Sequence, residues 1–245
     1  MSLPPGWRLA RVEATPSTNA DLVAEALRGA PEGSALLADT QLAGRGRQGR
    51  AWHSPAGNLH LSVILRPACA AAAAGQIGLV AAIAVADLLA GLGIAARLKW
   101  PNDVLVDGAK IAGILVESAL DEAAVAWVVV GIGLNVLSHP ADAGQPATSL
   151  AAIAGRDRLP AVPAIAGALL GDLGRRYDAW RVAGFAGLLP AWRALGPDPG
   201  TPLRIADGAQ AIMGAFHDLD PDGALVLEVS PGRFRRILAG DVRAS

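Results

Sequence analysis

Apolar and polar positions change rhythm several times along the chain, and each rhythm predicts an element. Ala35-Leu36-Leu37-Ala38 is an apolar run ending in polar Asp39-Thr40-Gln41, and Leu59 to Arg66 alternates; both predict strands. Ala71 to Leu89 is alanine-rich and apolar with Gly91 beyond it, which predicts a helix. Ala96 to Trp100 reads as a short strand halted by Pro101. Val104-Leu105-Val106 and Lys110 to Val116 flank Asp107-Gly108, a hairpin turn signal. Val128 to Leu134 is an apolar run suited to a strand buried on both faces.

Toward the ends the pattern is helical, then strand-like. Ser17-Thr18-Asn19 opens a first helix, with Thr18 and Asp21 fitting a capping box and Gly29 supplying the stop. Pro163 to Leu195 reads as helical, interrupted around Gly184 and Pro190, and Gly196 to Gly200 reads as a linker. Beyond it, short strands separated by Asp207-Gly208, Pro221-Asp222-Gly223 and Pro231-Gly232 predict a β meander. The fold expected is α/β of the α+β type, a mixed β-sheet flanked by helices. The expected division is 1–195 for the main domain and 201–245 for a small β unit that packs on it, being marginal alone.

Composition narrows the picture. Hydrophobic residues make up 52% of the 245, enough for a sizeable core, and the formal net charge of -1 argues against general polyanion binding. The one cysteine, Cys69, excludes an internal disulfide and reads as a bystander in a reducing compartment. The start, MSLPPGWRLARVEA, lacks the pattern of a signal peptide. The stretch from Ala70 to Leu92 holds Gln76 and Asp87 and reads as a core helix rather than a membrane span. A soluble cytoplasmic protein is expected. His53, His60, His139 and His217 show no metal-ligand spacing.

The candidate chemistry begins at GRGRQGRAW, Gly44 to Trp52, whose first six letters spell G-x-G-x-x-G. A dinucleotide turn needs a helix after those glycines and an acidic residue about 20 positions on. Here Pro55 and Gly57 follow closely, and neither Asp nor Glu occurs from Thr40 to Ala86. What remains is a glycine-spaced loop carrying Arg45, Arg47 and Arg50, either an anion clamp or a solvated basic loop. Of the 21 basic residues only Lys99 and Lys110 are lysines, so a lysine here is expected to do what arginine cannot. Lys99, in Lys99-Trp100-Pro101-Asn102-Asp103, is held at a strand end by the proline turn; it reads as a placed charge or as half of a surface pair with Asp103. Gly131-Ile132-Gly133-Leu134-Asn135 could set an amide beside a ligand or be an ordinary strand exit.

Together these blocks resemble the biotin protein ligases. Ser17-Thr18-Asn19, Gln41 followed by GRGRQGRAW, Ser54-Pro55 through GNLHLSV, KWPNDVLV, KIAGILVE and GIGLN occur in that family's order, and DGALVLE with AGDV resembles its C-terminal β domain. The resemblance implies a class II synthetase-like catalytic domain, an SH3-like C-terminal unit, and a two-step reaction. Biotin and ATP would give biotinyl-5'-AMP and pyrophosphate, and a lysine of a biotin carboxyl carrier protein would take the biotinyl group. It further implies Lys99 and Arg47 as catalytic, and Ser17, Thr18, Asn19, Gln41, Arg45, Gly46, Arg47 and Lys99 as biotin-binding. Arg45, Arg47, Arg50, Trp52, Lys99, Asn102 and Asn135 would hold ATP or the adenylate, with Asn135 and Trp52 on the adenine side. Mg²⁺ is expected with ATP, without a nameable acidic ligand, and no tightly bound prosthetic group is expected. His60 departs from the family's usual tyrosine beside the biotin pocket. The blocks start at Ser17, which implies no DNA-binding repressor domain before them and no specific DNA partner. Exposed strand edges permit a homodimer. Two rival readings are a lipoate or octanoate ligase on a related fold, which would lack the arginine-glycine loop with KWPND, and an inactive biotin sensor.

Overall fold

The structure is a computed structural model that describes residues 3–121, 124–142, 144–207, 210–238 and 240–244. The chain opens with strand β1, Arg8–Thr15, followed by helix α1, Thr18–Leu27, and strand β2, Ser34–Gln41. β1 and β2 pair in parallel, and β1 forms one edge of the sheet. β1 escapes the hydrophobic pattern because all but two of its residues are exposed and only Thr15 is buried. The helix cap differs from the expected box. Ser17 is the cap, its Oγ accepting from the Ala20 N–H, while the Asp21 carboxylate takes the Thr15 hydroxyl.

Strands β3 (Leu59–Leu65), β4 (Arg97–Lys99), β5 (Asp103–Val106), β6 (Ala109–Asp121) and β7 (Ala124–Leu134) complete a seven-stranded mixed sheet in the order β1-β2-β3-β7-β6-β5-β4. The β5–β6 turn bears out the Asp107-Gly108 signal, both residues having positive φ (50° and 77°). Alternation along β3 sends Leu59, Leu61, Val63 and Leu65 into the large core, while Ile64 joins a smaller cluster with Leu22, Trp127 and Val129 under α1.

The alanine-rich stretch begins as a 3-10 turn at Ala71–Ala73 and becomes helix α2 at Gln76–Gly91. Residues 71–91 are long and apolar enough to cross a membrane, with mean hydropathy 1.9, yet 72% of that window is buried inside the fold. Helix α3, Leu150–Ala154, is short; helix α4, Val162–Ala183, packs on α2. Helix α5 is Leu189–Leu195. Gly184 breaks the helical region as expected, but Pro190 starts α5 rather than interrupting it, since a proline at the first turn sacrifices no helical bond.

Strands β8 (Pro202–Asp207), β9 (Gln210–Leu219), β10 (Leu225–Ser230), β11 (Arg233–Ile237) and β12 (Asp241–Ala244) form a second sheet, all antiparallel. β8 to β11 make the expected meander and β12 returns to pair with β8. Gly208 of the expected Asp207-Gly208 turn lies outside the described residues. The second sheet is joined to the rest of the fold through the Trp100 indole N–H, which donates to the Gly223 carbonyl at 3.1 Å, and through Trp192 of α5 against Phe216 of β9.

Candidate functional site

The helix start contributes three consecutive buried polar side chains. Ser17, Thr18 and Asn19 are each under 5% exposed, where an unpaired polar group would cost about 1–3 kcal/mol. Partners come from neighbouring strands. Gln41 Oε1, at the end of β2, accepts from the Thr18 N–H at 2.9 Å, and Gln41 Nε2 donates to Ser54 Oγ at 2.9 Å. Ser62 on β3 bonds Thr18 Oγ1 at 2.7 Å and donates to Asn19 Oδ1 at 2.6 Å. Asn19 Nδ2 donates to Glu117 on β6 at 2.8 Å.

Beside this helix start lies a floor of glycines. Register places Ala38, His60, Gly133, Gly113, Asp103 and Lys99 in one transverse row, paired across β2, β3, β7, β6, β5 and β4. A Cβ on Gly133 would sit 2.3 Å from the Trp52 ring, and one on Gly113 would sit 3.0 Å from it. On Gly131 it would sit 2.2 Å from Asn19 Oδ1. The glycines of GIGLN therefore let an indole and an amide lie against the sheet backbone.

Trp52 ends the arginine-glycine loop, which closes as a hairpin: the Trp52 N–H donates to Gly44 O at 2.9 Å and the Gly46 N–H to Arg50 O at 2.7 Å. Its tip is a single 3-10 turn, Arg47–Gly49, so the long helix of a dinucleotide fold is absent at this point, as expected. Arg45 pairs with Glu117 at 3.3 Å. Arg47 donates to Asn102 Oδ1 at 3.3 Å and to Gly240 O at 3.2 Å, tying the loop to the Pro101 turn and to the second sheet. Arg50 donates to Arg47 O.

Both lysines of the chain converge on Asp103. Lys110 Nζ lies 2.5 Å from Asp103 Oδ1 and 5.4 Å from the Trp52 ring centroid, while Lys99 Nζ lies 3.6 Å from Oδ2 and donates to Gln145 at 3.0 Å. These groups border a cleft of about 690 Å³. Ser17, Thr18, Asn19, Gln41, Arg45, Gly46, Arg47, Arg50, Trp52, Asn102 and Asn135 all line it, as does Lys110. Lys99 stands just behind the wall on the edge strand β4, its ammonium against two side chains of that wall, Asp103 and Gln145. Sequence reasoning placed the bridging ammonium on Lys99; Lys110 meets the same carboxylate, Asp103, and lines the cleft. The scarcity of lysine that singled out one applies equally to the other. Asn135 is chiefly a fastener, donating to Thr148 O at 2.9 Å.

His60 lines the cleft with 1% exposure; burial holds its imidazole below the ordinary value, so the ring is neutral, with Nε2 against Pro55 O at 3.1 Å. Burial pushes the Cys69 thiol up, against activation, and Cys69 is not part of the cleft wall. Among the described residues, no group of three or more His, Cys, Asp or Glu side chains is placed to hold a metal ion. The cleft is thus polar and pre-formed at the α1 end, flat in the middle and cationic toward Lys110, Arg47 and Arg50. It suits a long ligand with hydrogen-bonding groups at one end and negative charge at the other. Ser54, Ser62, Lys110 and Glu117 were not singled out as site residues in the sequence; all four lie inside blocks that were.

Comparison with known proteins gives a consistent set of likenesses. Residues 11–135 match the family described as the biotin/lipoate A/B protein ligase family. A biotin--[acetyl-CoA-carboxylase] ligase of Paracoccus denitrificans is 43% identical over 229 residues, 89% of this chain and 93% of that one. A protein of the same name from Mycobacterium tuberculosis is 42% identical over 249 residues, 97% of this chain and 89% of that one. Among solved structures, the biotin protein ligase from Aquifex aeolicus in complex with biotin and ATP superposes with a TM-score of 0.83 at 26% identity, covering 97% of this chain and 99% of that one.

Proposed function

The chain belongs to the biotin/lipoate A/B protein ligase family, and we propose that it is a biotin ligase. It activates biotin with ATP, giving biotinyl-5'-AMP and pyrophosphate, and passes the biotinyl group to a lysine of a biotin carboxyl carrier protein. The observation that carries this reading is the asymmetry of the cleft, a buried hydrogen-bonding pocket at α1 joined by a glycine floor to a cationic end.

Biotin has the matching asymmetry. Its ureido ring enters among Ser17, Thr18, Asn19 and Gln41, and its carboxylate extends toward Lys110. The carboxylate must attack the α-phosphate of ATP, so two anions meet and positive charge has to be waiting. Lys110 supplies it as a compact ammonium, with Lys99 supporting it through their shared partner Asp103. Arg45, Gly46, Arg47 and Arg50 close over the phosphate, and Trp52, Asn102 and Asn135 border the nucleotide. Closure keeps water from a hydrolysable mixed anhydride. Mg²⁺ arrives as the ATP complex rather than in a protein cage, and the reaction runs in the cytoplasm. Residues 1–195 form the catalytic unit, and 201–245 the β unit that braces Arg47 through Gly240 O.

The test is pyrophosphate release from Mg²⁺-ATP with biotin, octanoate or lipoate, followed by mass spectrometry of an added carrier domain. Biotin-dependent release and one biotin-sized gain on the carrier are expected. Preference for octanoate would assign the chain to the lipoyl branch, and binding of biotin without any release would make it a sensor.

A further inference from the structure

We propose that Glu117, which touches no ligand, sets the hydrogen-bond polarity of the α1 pocket so that it offers acceptors to the N–H groups of a cyclic urea. The inference rests on the biotin reading for the identity of the ligand and concerns a positioning residue that the cleft wall does not include.

The polarity follows from counting protons. A carboxylate only accepts, so the side of the Asn19 amide facing Glu117 Oε2 at 2.8 Å must be its NH₂. Asn19 Oδ1 therefore faces Ser62, whose hydroxyl donates to it at 2.6 Å. Ser62 has one proton, so the 2.7 Å contact with Thr18 Oγ1 must be donated by Thr18. Gln41 Oε1, 3.1 Å away, is also within reach of the Thr18 hydroxyl, but its single proton goes to the shorter contact with Ser62. Gln41 cannot turn its amide round, because Oε1 accepts the Thr18 N–H and Nε2 is committed to Ser54. At the cleft wall the chain thus leaves lone pairs on Thr18 Oγ1 and Gln41 Oε1.

A ureido ring supplies two N–H groups to such a surface. A fatty acyl chain or a dithiolane supplies none and would strand both acceptors in a dry pocket, which is how a site that binds N–H rejects an analogue lacking it. Arg45, 3.3 Å from the other oxygen of the same carboxylate, helps keep Glu117 in place. Gly131 makes the arrangement fit, since its missing Cβ is the space that Asn19 Oδ1 occupies.

The experiment compares the parent with Glu117→Gln by calorimetric titration, without ATP, against biotin and a biotin analogue methylated on a ureido nitrogen. The amide introduced by that substitution can donate as well as accept, so the proton order is no longer enforced. The Kd for biotin is expected to rise about tenfold while the methylated analogue changes by less than about twofold, and kcat at saturating biotin stays within about twofold. Equal weakening of both ligands, or unchanged biotin binding, would overturn the proposal. If Glu117→Gln lacks a cooperative thermal transition, Ser62→Ala breaks the same chain one link on. There Thr18 turns its proton to Gln41, and the same ureido-selective loss is expected; equal or no loss overturns the proposal. A parent that binds no biotin at all would remove the functional reading first, and this inference with it.

Discussion

The two ends of the cleft are built differently. At the α1 end, Ser17, Thr18 and Asn19 are buried, and Thr18 and Asn19 are cross-linked to β2, β3 and β6, so displacing one strands a partner at about 1–3 kcal/mol. At the other end, the lysine side chains are 18% and 23% exposed, and the Arg47 guanidinium has neutral oxygens of Asn102 and Gly240 among its partners. Neutral bonds of that kind are worth about 0.5–1.5 kcal/mol each, which an arriving phosphate can outbid. One end is therefore a fixed mould for a neutral ring, and the other can re-form around an anion.

Substitutions at the cationic end should damage chemistry more than biotin binding. The largest effect is expected for Lys110→Ala, with pyrophosphate release down by about 10²–10³ and biotin affinity within about threefold. Lys99→Ala should cost only about tenfold, because that ammonium acts through Asp103. Single-turnover assays with both variants decide it: a greater loss at Lys99 would return the bridging role to the residue chosen from sequence. Next, a Cβ at Gly133 would collide with the Trp52 ring, so Gly133→Ala should tilt the indole and raise KM for ATP by about tenfold. An unaltered KM would mean that Trp52 does not define the nucleotide wall. Arg47→Gly removes the bonds to Asn102 and Gly240 and should speed escape of the adenylate by about fivefold. Rapid filtration of labelled adenylate measures it, and retention equal to the parent's would discard the clamp.

The same contrast explains what was legible in the sequence. The fixed end was readable because burial imposes pattern: β2, β3 and β7 announce themselves as apolar runs, and Ser17-Thr18-Asn19 sits at an obvious helix start. The cationic end was readable as chemistry, through arginine-glycine spacing and rare lysines, but not as geometry. Nothing in KWPND says that Lys99 sits on the outermost strand, because strand order is a long-range property of the sheet. Glu117 was hidden for another reason. It looks like one more polar residue at the end of a strand, and only the pairing of β6 with β7 brings it to Asn19.

The smallest expected effect tests how rigid the fixed end is. His60 belongs to its row on the sheet, and Nδ1 has no hydrogen-bond partner among the described residues while Nε2 faces Pro55 O. Burial depresses the folded-state value below the ordinary 6.5, so the unfolded chain takes up the proton first as pH falls. The stability tied to the neutral ring is then complete above about pH 6.5 and is lost as the pH drops below it. His60→Phe keeps a ring in the row and removes the titration. Between about pH 7 and pH 5 the Tm of the parent should fall more steeply than that of the variant, with His53, His139 and His217 common to both. Parallel slopes would show that the pocket relaxes to hydrate a charged His60, and the α1 end would then be softer than its packing indicates.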